Sequence, residues 1–377
     1  MKEREDDRIV MTLDAGGTNF VFSALQNGLE IINPIVLAAN SADLDKCLKT
    51  IIAGFEQVKD ALLPKVPVAI SFAFPGPADY KNGIISDLPN FPSFRGGIAL
   101  GPMLEELFNI PTLINNDGDL FAYGEAVAGF LPKINGLLHE NSIEREYKNL
   151  IGITLGTGFG GGVVVNNQIC LGDNSAAGEI WLTRNYLHPK SIAEESVSTR
   201  GIQRVYSKLS GDKIEKTPLD IYEIAKGKIM GDKEAALQAF KELATVMAES
   251  LANAITLLDA PVVIGGGVSG AAEFIVPQLI SHFKSTISDQ GAAKPRVIAE
   301  VFNMDDPESL KQFLNSDSQY VQVPFSDKKV AYNEKKRIPI GISQLGASNA
   351  ISLGAYTLAL DYLDKKNLYA MDLQKEI

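Results

Sequence analysis

Short apolar runs broken by glycine alternate along this chain with longer stretches of helical periodicity. Ile151–Leu155 reads as a buried strand, Val163–Asn166 as a second and Gln168–Leu171 as a third. The Asn166-Asn167 pair between the last two suits a tight hairpin turn. Ile9–Leu13 and Phe20–Leu25 form a similar pair around a glycine turn, and Asn27-Gly28 leads into Glu30–Leu37. Val66–Phe74, Thr112–Asn115 and Pro261–Ile264 are further strands. Helical spacing places Leu44, Leu48, Ile51, Ile52 and Phe55 on one face of Ser41–Ala61, with Ser41 as N-cap. Helices are also predicted at Leu120–Val127, from Ser191 through Leu209, at Pro218–Met230, Asp232–Leu258 and Ala271–Lys284, and at Ala347–Leu363 after Ile340–Leu345. Two stretches fit neither period. Lys133–Lys148 is expected to be a surface excursion, and Ala299–Arg337, with mixed charges and short apolar runs, an insertion.

The candidate chemistry gathers where strands end. Gly156-Thr157-Gly158-Phe159-Gly160-Gly161-Gly162 follows the strand at 151–155 and is expected to form a turn whose bare backbone N–H groups face phosphate oxygens. Gly156, Gly158 and Gly161 also satisfy a dinucleotide fingerprint. That fingerprint needs a helix directly after the glycines, whereas Val163-Val164-Val165 is β-branched and meets a hairpin turn. A glycine-rich hairpin without a ligand is the remaining reading.

Asp14-Ala15-Gly16-Gly17-Thr18-Asn19 is the first such turn. Asp14 could hold a hydrated cation while Gly16–Thr18 faces a phosphate, or it could simply bond its own backbone in an Asp-Gly turn. Pro75-Gly76-Pro77 ends the 66–74 strand, and ligands bind at such carboxyl edges of α/β sheets. Asn90, between prolines 89 and 92, can donate and accept at once, as a pair of sugar hydroxyls requires, or can stabilise a turn. Asp117 follows Asn116 at a strand end, where a carboxylate can cap a helix or take a proton from an incoming hydroxyl. Gly265-Gly266-Gly267 stands between a strand and a helix, a close backbone approach suited to a nucleoside.

Length and charge narrow the possibilities. A chain of 377 residues is long for one core and implies two domains. A net charge of −11 argues against nucleic acid as the main partner. No run spans a bilayer and MKEREDDR lacks the apolar region of a signal peptide, so a cytoplasmic protein is expected. Cys47 and Cys170 stand alone, and His139, His188 and His282 are scattered, which points away from a disulfide framework or a zinc cluster.

Three glycine turns at strand ends, with an Asp after a strand between the first two, resemble the actin-like sugar kinases, and within them the ROK family. LDAGGTN at 13–19 and GITLGTGFGGG at 152–162 resemble its phosphate motifs, NDGDLFAYGE at 116–125 its catalytic segment and VVIGGGVSGA at 262–271 its nucleoside motif. The resemblance extends over roughly residues 8 to 360. It implies an α/β fold of two actin-like (ribonuclease H-like) lobes, mixed sheets flanked by helices, with ATP and a sugar in the cleft. The smaller lobe is expected at 1–116 with about 347–377, and the larger at 117–346. The implied reaction is transfer of the γ-phosphoryl of ATP to a hexose or N-acetylhexosamine hydroxyl, with Mg²⁺ carried by ATP and met by Asp14, and a homodimer is implied. Asp117 takes the position of the general base. Asn90, Asn116, Asp117, Glu179 and Glu194 take sugar-binding positions. Asp14, Gly16, Gly17, Thr18, Asn19, Gly156, Thr157, Gly158, Gly160, Gly265, Gly266 and Gly267 take nucleotide-binding ones.

The sequence departs from the family pattern at Leu182, where many members have a His followed by a zinc-binding cysteine loop; no such loop is present, and no zinc site is expected. The choice of sugar is what this departure touches most. A sugar-binding regulator without turnover is the alternative from another class, and an ATPase with a protein client a third. The retained Asp117 argues against the regulator, and sugar-side residues Glu179 and Glu194 have no role in the ATPase. The short segment before the first strand leaves no room for the helix-turn-helix of the family's repressors.

Overall fold

The computed structural model describes residues 6–375 apart from 17, 77, 88–90, 213, 316–318 and 333–334; the side chains of 289 and 369–375 are likewise outside the description. The chain forms two compact units, Met1–Ala128 with Ile169–Gly178 and Ala347–Ile377, and Gly129–Gln168 with Glu179–Gly346.

In the first unit, strands β1 (Val10–Ala15) and β2 (Asn19–Gln26) pair antiparallel. Asn27 and Gly28 both have positive φ, the geometry of a tight hairpin, and lead into β3 (Leu29–Glu30). β4 (Ile35–Ala38) also pairs with β2, so the expected 30–37 strand is split into two short ones. Helix α1 (Leu44–Leu62) begins later than expected because Asp43, not Ser41, is its cap: the Asp43 carboxylate accepts the Lys46 N–H at 3.1 Å. An acid at that position also complements the helix dipole. β5 (Ala69–Ala73) runs parallel to β1, a small sheet of β6 (Ala78–Asp79), β7 (Ile84–Ile85) and β8 (Ile98–Ala99) follows, and α2 (Leu100–Phe108) leads to β9 (Thr112–Asn115), parallel to β5. The sheet order is β3-β2-β1-β5-β9. Behind it Phe20, Phe22, Phe55, Phe72, Phe74, Phe91 and Phe94 form a continuous aromatic core, each ring wholly buried. Burial of each contributes about 1.5–3 kcal/mol, which makes the strand ends a rigid platform. Helix α3 (Asp117–Val127) completes this stretch.

The second unit begins with α4 (Phe130–Glu140). The expected surface excursion at 133–148 is therefore half helix, and Ile134 and Leu138 of it are buried. β10 (Leu150–Leu155) pairs antiparallel with β11 (Phe159–Val165), and Asn166 and Asn167, both at positive φ, turn the chain into β12 (Gln168–Ile169). Helices α5 (Thr199–Ser210), α6 (Pro218–Ala225) and α7 (Lys233–Leu258) come next, then β13 (Val262–Gly265), parallel to β10, and α8 (Ala272–Phe283). β14 (Thr286–Asp289) and β15 (Ala292–Pro295) form an unforeseen hairpin. The expected insertion at 299–337 is only partly one. β16 (Glu300–Asn303) is the edge strand of the main sheet, with Val301 and Phe302 buried, and α9 (Pro307–Leu314) packs on it. Within this stretch the hairpin of β17 (Gln319–Gln322) and β18 (Lys329–Tyr332) is exposed along both strands. β19 (Arg337–Ile342) is inserted between β13 and β16, giving the order β11-β10-β13-β19-β16 with β12 beyond β11.

The chain then returns to the first unit as α10 (Ala347–Lys375). α10 and α3 cross at glycines: a Cβ on Gly354 would overlap the Leu120 carbonyl, and one on Gly124 the Ala350 carbonyl. Tyr123 also donates to Asp361 across the crossing. This packing is why residues 117–128, expected in the larger lobe, cluster with the first unit. Each unit thus consists of a glycine-closed hairpin continued by parallel strands with helices against the sheet, the α/β actin-like architecture.

Candidate active site

Register determines what meets at the edge of the first sheet. Asp14 on β1 aligns with Ala73 on β5, and Ala73 with Asn115 on β9. Asp14 and Asn115 are thus two strands apart, about 10 Å between backbones. The backbone is close at Gly16: a Cβ there would lie 2.8 Å from the Asn19 carbonyl oxygen, so only glycine fits. Thr18 and Asn19 are exposed, and the Thr18 carbonyl accepts the Ala39 N–H at 2.9 Å. Gly17 and Asn90 lie outside the described residues.

Asn116 caps α3. Its Oδ1 accepts the Gly118 N–H at 2.8 Å, and its Nδ2 lies 3.5 Å from the Tyr80 hydroxyl, which itself donates to the Phe74 carbonyl at 3.0 Å. The capping role weighed for Asp117 therefore belongs to its neighbour. Asp117 is the first helical residue; its Oδ1 shares the Gly118 N–H at 2.9 Å, and its other oxygen has no partner among the described residues. Desolvation pushes the Asp117 carboxyl above the usual carboxylate range, and the charge of Asp14 adds to the rise, while the backbone N–H groups of Gly118 and of Asp117 itself oppose it. Asp14 is raised by desolvation as well. Both residues are nonetheless exposed at the surface of their unit, so these carboxylates are open to an incoming ligand. Neither has an ion-pair partner among the described residues.

In the second unit the glycine turn is shorter than expected. Leu155 pairs with Phe159, so only Gly156, Thr157 and Gly158 turn, closed by the Gly156 N–H to the Gly158 carbonyl at 3.1 Å. Gly160 pairs with Thr154 inside the ladder, and its Cβ would overlap the Thr154 hydroxyl. Gly160 is thus a strand glycine that allows close packing, not a member of an open turn. A Cβ on Gly156 would meet nothing within 4 Å, whereas one on Gly158 would lie 2.6 Å from Glu194 Oε2. That carboxylate accepts the Phe159 N–H at 3.0 Å, and Arg200 lies 3.4 Å from its other oxygen.

Glu179 precedes a single 3-10 turn at Ile180–Leu182 and accepts the Trp181 indole N–H. Leu182 is exposed. Thr154 at the end of β10 aligns with Gly265 on β13, which brings Gly265–Gly267 to the same edge as the 156–158 turn. Gly266 has φ +87°, and its Cβ would overlap the Leu155 backbone, so glycine alone allows the two strand ends to approach. Gly267 faces open space and begins a 3-10 turn to Ala271.

Register thus joins Asp14 to Asn116 and Asp117 in one unit and Gly156–Gly158 to Gly265–Gly267 in the other, where the Phe159 N–H adds Glu194. Sequence reasoning missed Tyr80 and Trp181. Trp181, two residues from Glu179, could have been suspected, but nothing near Tyr80 in sequence links it to Asn116.

The model described as the ROK family matches residues 10–307. Among solved structures, a glucokinase from Parabacteroides distasonis is 52% identical, with a TM-score of 0.88 over 96% of this chain and 99% of that one. A ROK family glucokinase from Streptomyces griseus, solved in complex with glucose and AMPPNP, has a TM-score of 0.57 at 18% identity, covering 93% of this chain and 98% of that one, and shares the fold. Among curated relatives, an N-acetyl-D-glucosamine kinase from Vibrio cholerae is 30% identical over 68% of this chain and 83% of its own length. The family match covers well over half of the residues, and the chain belongs to the ROK family.

Proposed function

We propose that this ATP-dependent carbohydrate kinase transfers the γ-phosphoryl group of ATP to a hydroxyl of a hexose or N-acetylhexosamine, with glucose the first candidate. The observation that carries the reading is the Asp117 carboxylate. It is relieved of capping by Asn116, keeps one oxygen unpartnered among the described residues, and is held basic by desolvation and by Asp14. Such a carboxylate accepts the proton of a sugar hydroxyl as its oxygen bonds to the γ-phosphorus and the bond to the ADP leaving oxygen breaks. The 52% identity to a glucokinase over nearly the whole chain supports glucose, and kinship with an N-acetyl-D-glucosamine kinase keeps the acetamido sugar in view.

In this reading Asn116, Glu179 and Glu194 bind sugar hydroxyls, joined by Asn90. Asp14 with Gly16–Asn19, Gly156–Gly158 and Gly265–Gly267 receive the nucleotide, the glycines supplying approach without side chains. Asp14 suits a hydrated Mg²⁺: it is an accessible carboxylate beside a second one, with no basic partner among the described residues. Mg²⁺ bound there with ATP would neutralise phosphate charge. The expected homodimer and cytoplasmic location belong to the same proposal; among the described residues, no helix is long and apolar enough to cross a membrane.

Coupled measurement of ADP release over a panel of hexoses and N-acetylhexosamines tests the reading. Sugar-dependent release is expected, highest with glucose or N-acetylglucosamine. Sugar binding without turnover would favour the regulator, and sugar-independent hydrolysis the ATPase.

A further inference from the structure

Between Ile180–Leu182 and Glu194 the chain makes a closed loop, tied at its neck by an antiparallel bridge between Arg184 and Ile192 and by the Ala193 N–H to the Thr183 carbonyl at 2.8 Å. Asn185 fills this loop. It is wholly buried, and both ends of its amide are used. Oδ1 accepts the Leu187 and His188 N–H groups at 3.0 and 2.9 Å, while Nδ2 donates to the Ser196 hydroxyl at 2.9 Å and weakly to the Ile192 carbonyl at 3.3 Å. The buried Ser196 hydroxyl donates in turn to Glu242 Oε1 on α7 at 2.9 Å. The same oxygen is approached by Arg204 and by His188, each at 3.3 Å, and Arg204 also donates to the Glu195 carbonyl at 3.1 Å.

The hydrogen bonds therefore converge from both sides of the loop on one carboxylate anchored in the longest helix of the unit. Upstream of the neck lies Glu179, held by Trp181, and downstream lies Glu194, held by the Phe159 N–H. We propose that Asn185, Ser196 and Glu242 are positioning residues for sugar binding: their network fixes the segments that carry Glu179 and Glu194 relative to one another. This rests on the reading of those two glutamates as sugar ligands. A polar network with buried members is rigid only while it is complete, and a displacement of about 1 Å in a ligand-binding group is enough to cost an order of magnitude or more.

The test compares Glu242→Ala, Glu242→Gln and Ser196→Ala with Glu179→Gln in the full chain, with KM for sugar, KM for ATP and kcat measured separately. Glu242→Ala should raise the sugar KM about ten-fold with the ATP KM little changed. Glu242→Gln, which can still accept from Ser196, should recover most of the loss. Ser196→Ala should act in the same direction as Glu242→Ala, and it carries the test if the latter does not fold. An unchanged sugar KM in folded Ser196→Ala and Glu242→Ala, or an equal rise in both KM values, overturns the positioning role. An unchanged sugar KM in Glu179→Gln overturns the underlying sugar-site reading, and the proposal with it. A rise in Glu179→Gln without one in the network variants removes the network alone.

Discussion

Gly158 and Glu194 occupy adjoining space so closely that a Cβ on the glycine would lie 2.6 Å from the Glu194 carboxylate oxygen. That same oxygen accepts the Phe159 N–H, one residue on. A position expected to serve only the nucleotide therefore also sets where a candidate sugar ligand stands.

Gly158→Ala should accordingly raise the KM for sugar together with that for ATP, because Glu194 must move. Gly156→Ala, whose Cβ enters open space, should leave the sugar KM unchanged. Steady-state kinetics with each substrate varied in turn separates the two. Equal sugar KM values in both variants would remove the link between the turn and Glu194.

Asp117→Asn keeps the shape of the side chain and removes the proton acceptor, so kcat should fall by about 10²-fold or more with sugar affinity much less affected. The same change should raise stability at neutral pH. The folded-state pKa of Asp117 lies above the unfolded value, so its contribution to stability is fully present below the unfolded pKa and is lost as pH rises through the folded one. At pH 7 the ionised carboxylate is a cost that Asn avoids. Urea unfolding at pH 7 should show a higher midpoint for the variant, and near-normal turnover would exclude Asp117 as the base.

The acid side of the pH–rate profile should report the same carboxylate. Activity should decline as pH falls through an apparent pKa above that of an ordinary Asp, because the base must be ionised. Asp14→Asn removes a neighbouring negative charge that raises Asp117, so in whatever activity survives, this limb should move to lower pH. A shift to higher pH would contradict the charge coupling.

The crossing of α3 and α10 should be intolerant of a single methyl group. A Cβ at residue 354 overlaps the Leu120 carbonyl, a backbone atom that no rotamer change can move aside. Gly354→Ala should cost about 1–3 kcal/mol in denaturant unfolding and lower kcat as well, since α3 carries Asp117 at its first position. Wild-type stability in this variant would show that the helices can separate freely.

Chelation should stop turnover without unfolding the chain. The described residues contain no cluster of three or more His, Cys, Asp or Glu side chains able to hold a metal, and the cation in the proposed reaction arrives with ATP. EDTA should abolish ADP release, excess Mg²⁺ should restore it, and the thermal melt should be the same throughout. Unfolding by EDTA with release of stoichiometric zinc would contradict this.

The local grammar of this chain determines a good deal by itself. Asn27-Gly28 and Asn166-Asn167 specify tight hairpins because their residues tolerate positive φ, and both turns form where the dipeptides stand. Apolar runs such as Ile151–Leu155 become central strands because no other element buries them on both faces. Asp14, Asn116, Asp117 and the glycine triplet at 265–267 could be singled out because chemistry-bearing residues at strand ends form short, contiguous patterns.

What depends on distant partners was settled only by the tertiary structure. Gly160 looks like its neighbours at 156 and 158, and its place inside a strand follows from the pairing of Leu155 with Phe159. β16 reads as part of an insertion in the sequence, and β19, thirty-odd residues later, gives its edge a parallel partner. Helix α3 belongs to the first unit because glycines 124 and 354, far apart in the chain, let two backbones touch. The ties of Asn116 to Tyr80, of Glu194 to Phe159 and of Asn185 to Glu242 by way of Ser196 likewise join residues separated by many positions in the chain. Periodicity and turn chemistry report on a residue's near neighbours in sequence, whereas register, helix crossing and side-chain hydrogen bonds between segments are decided when the chain closes on itself.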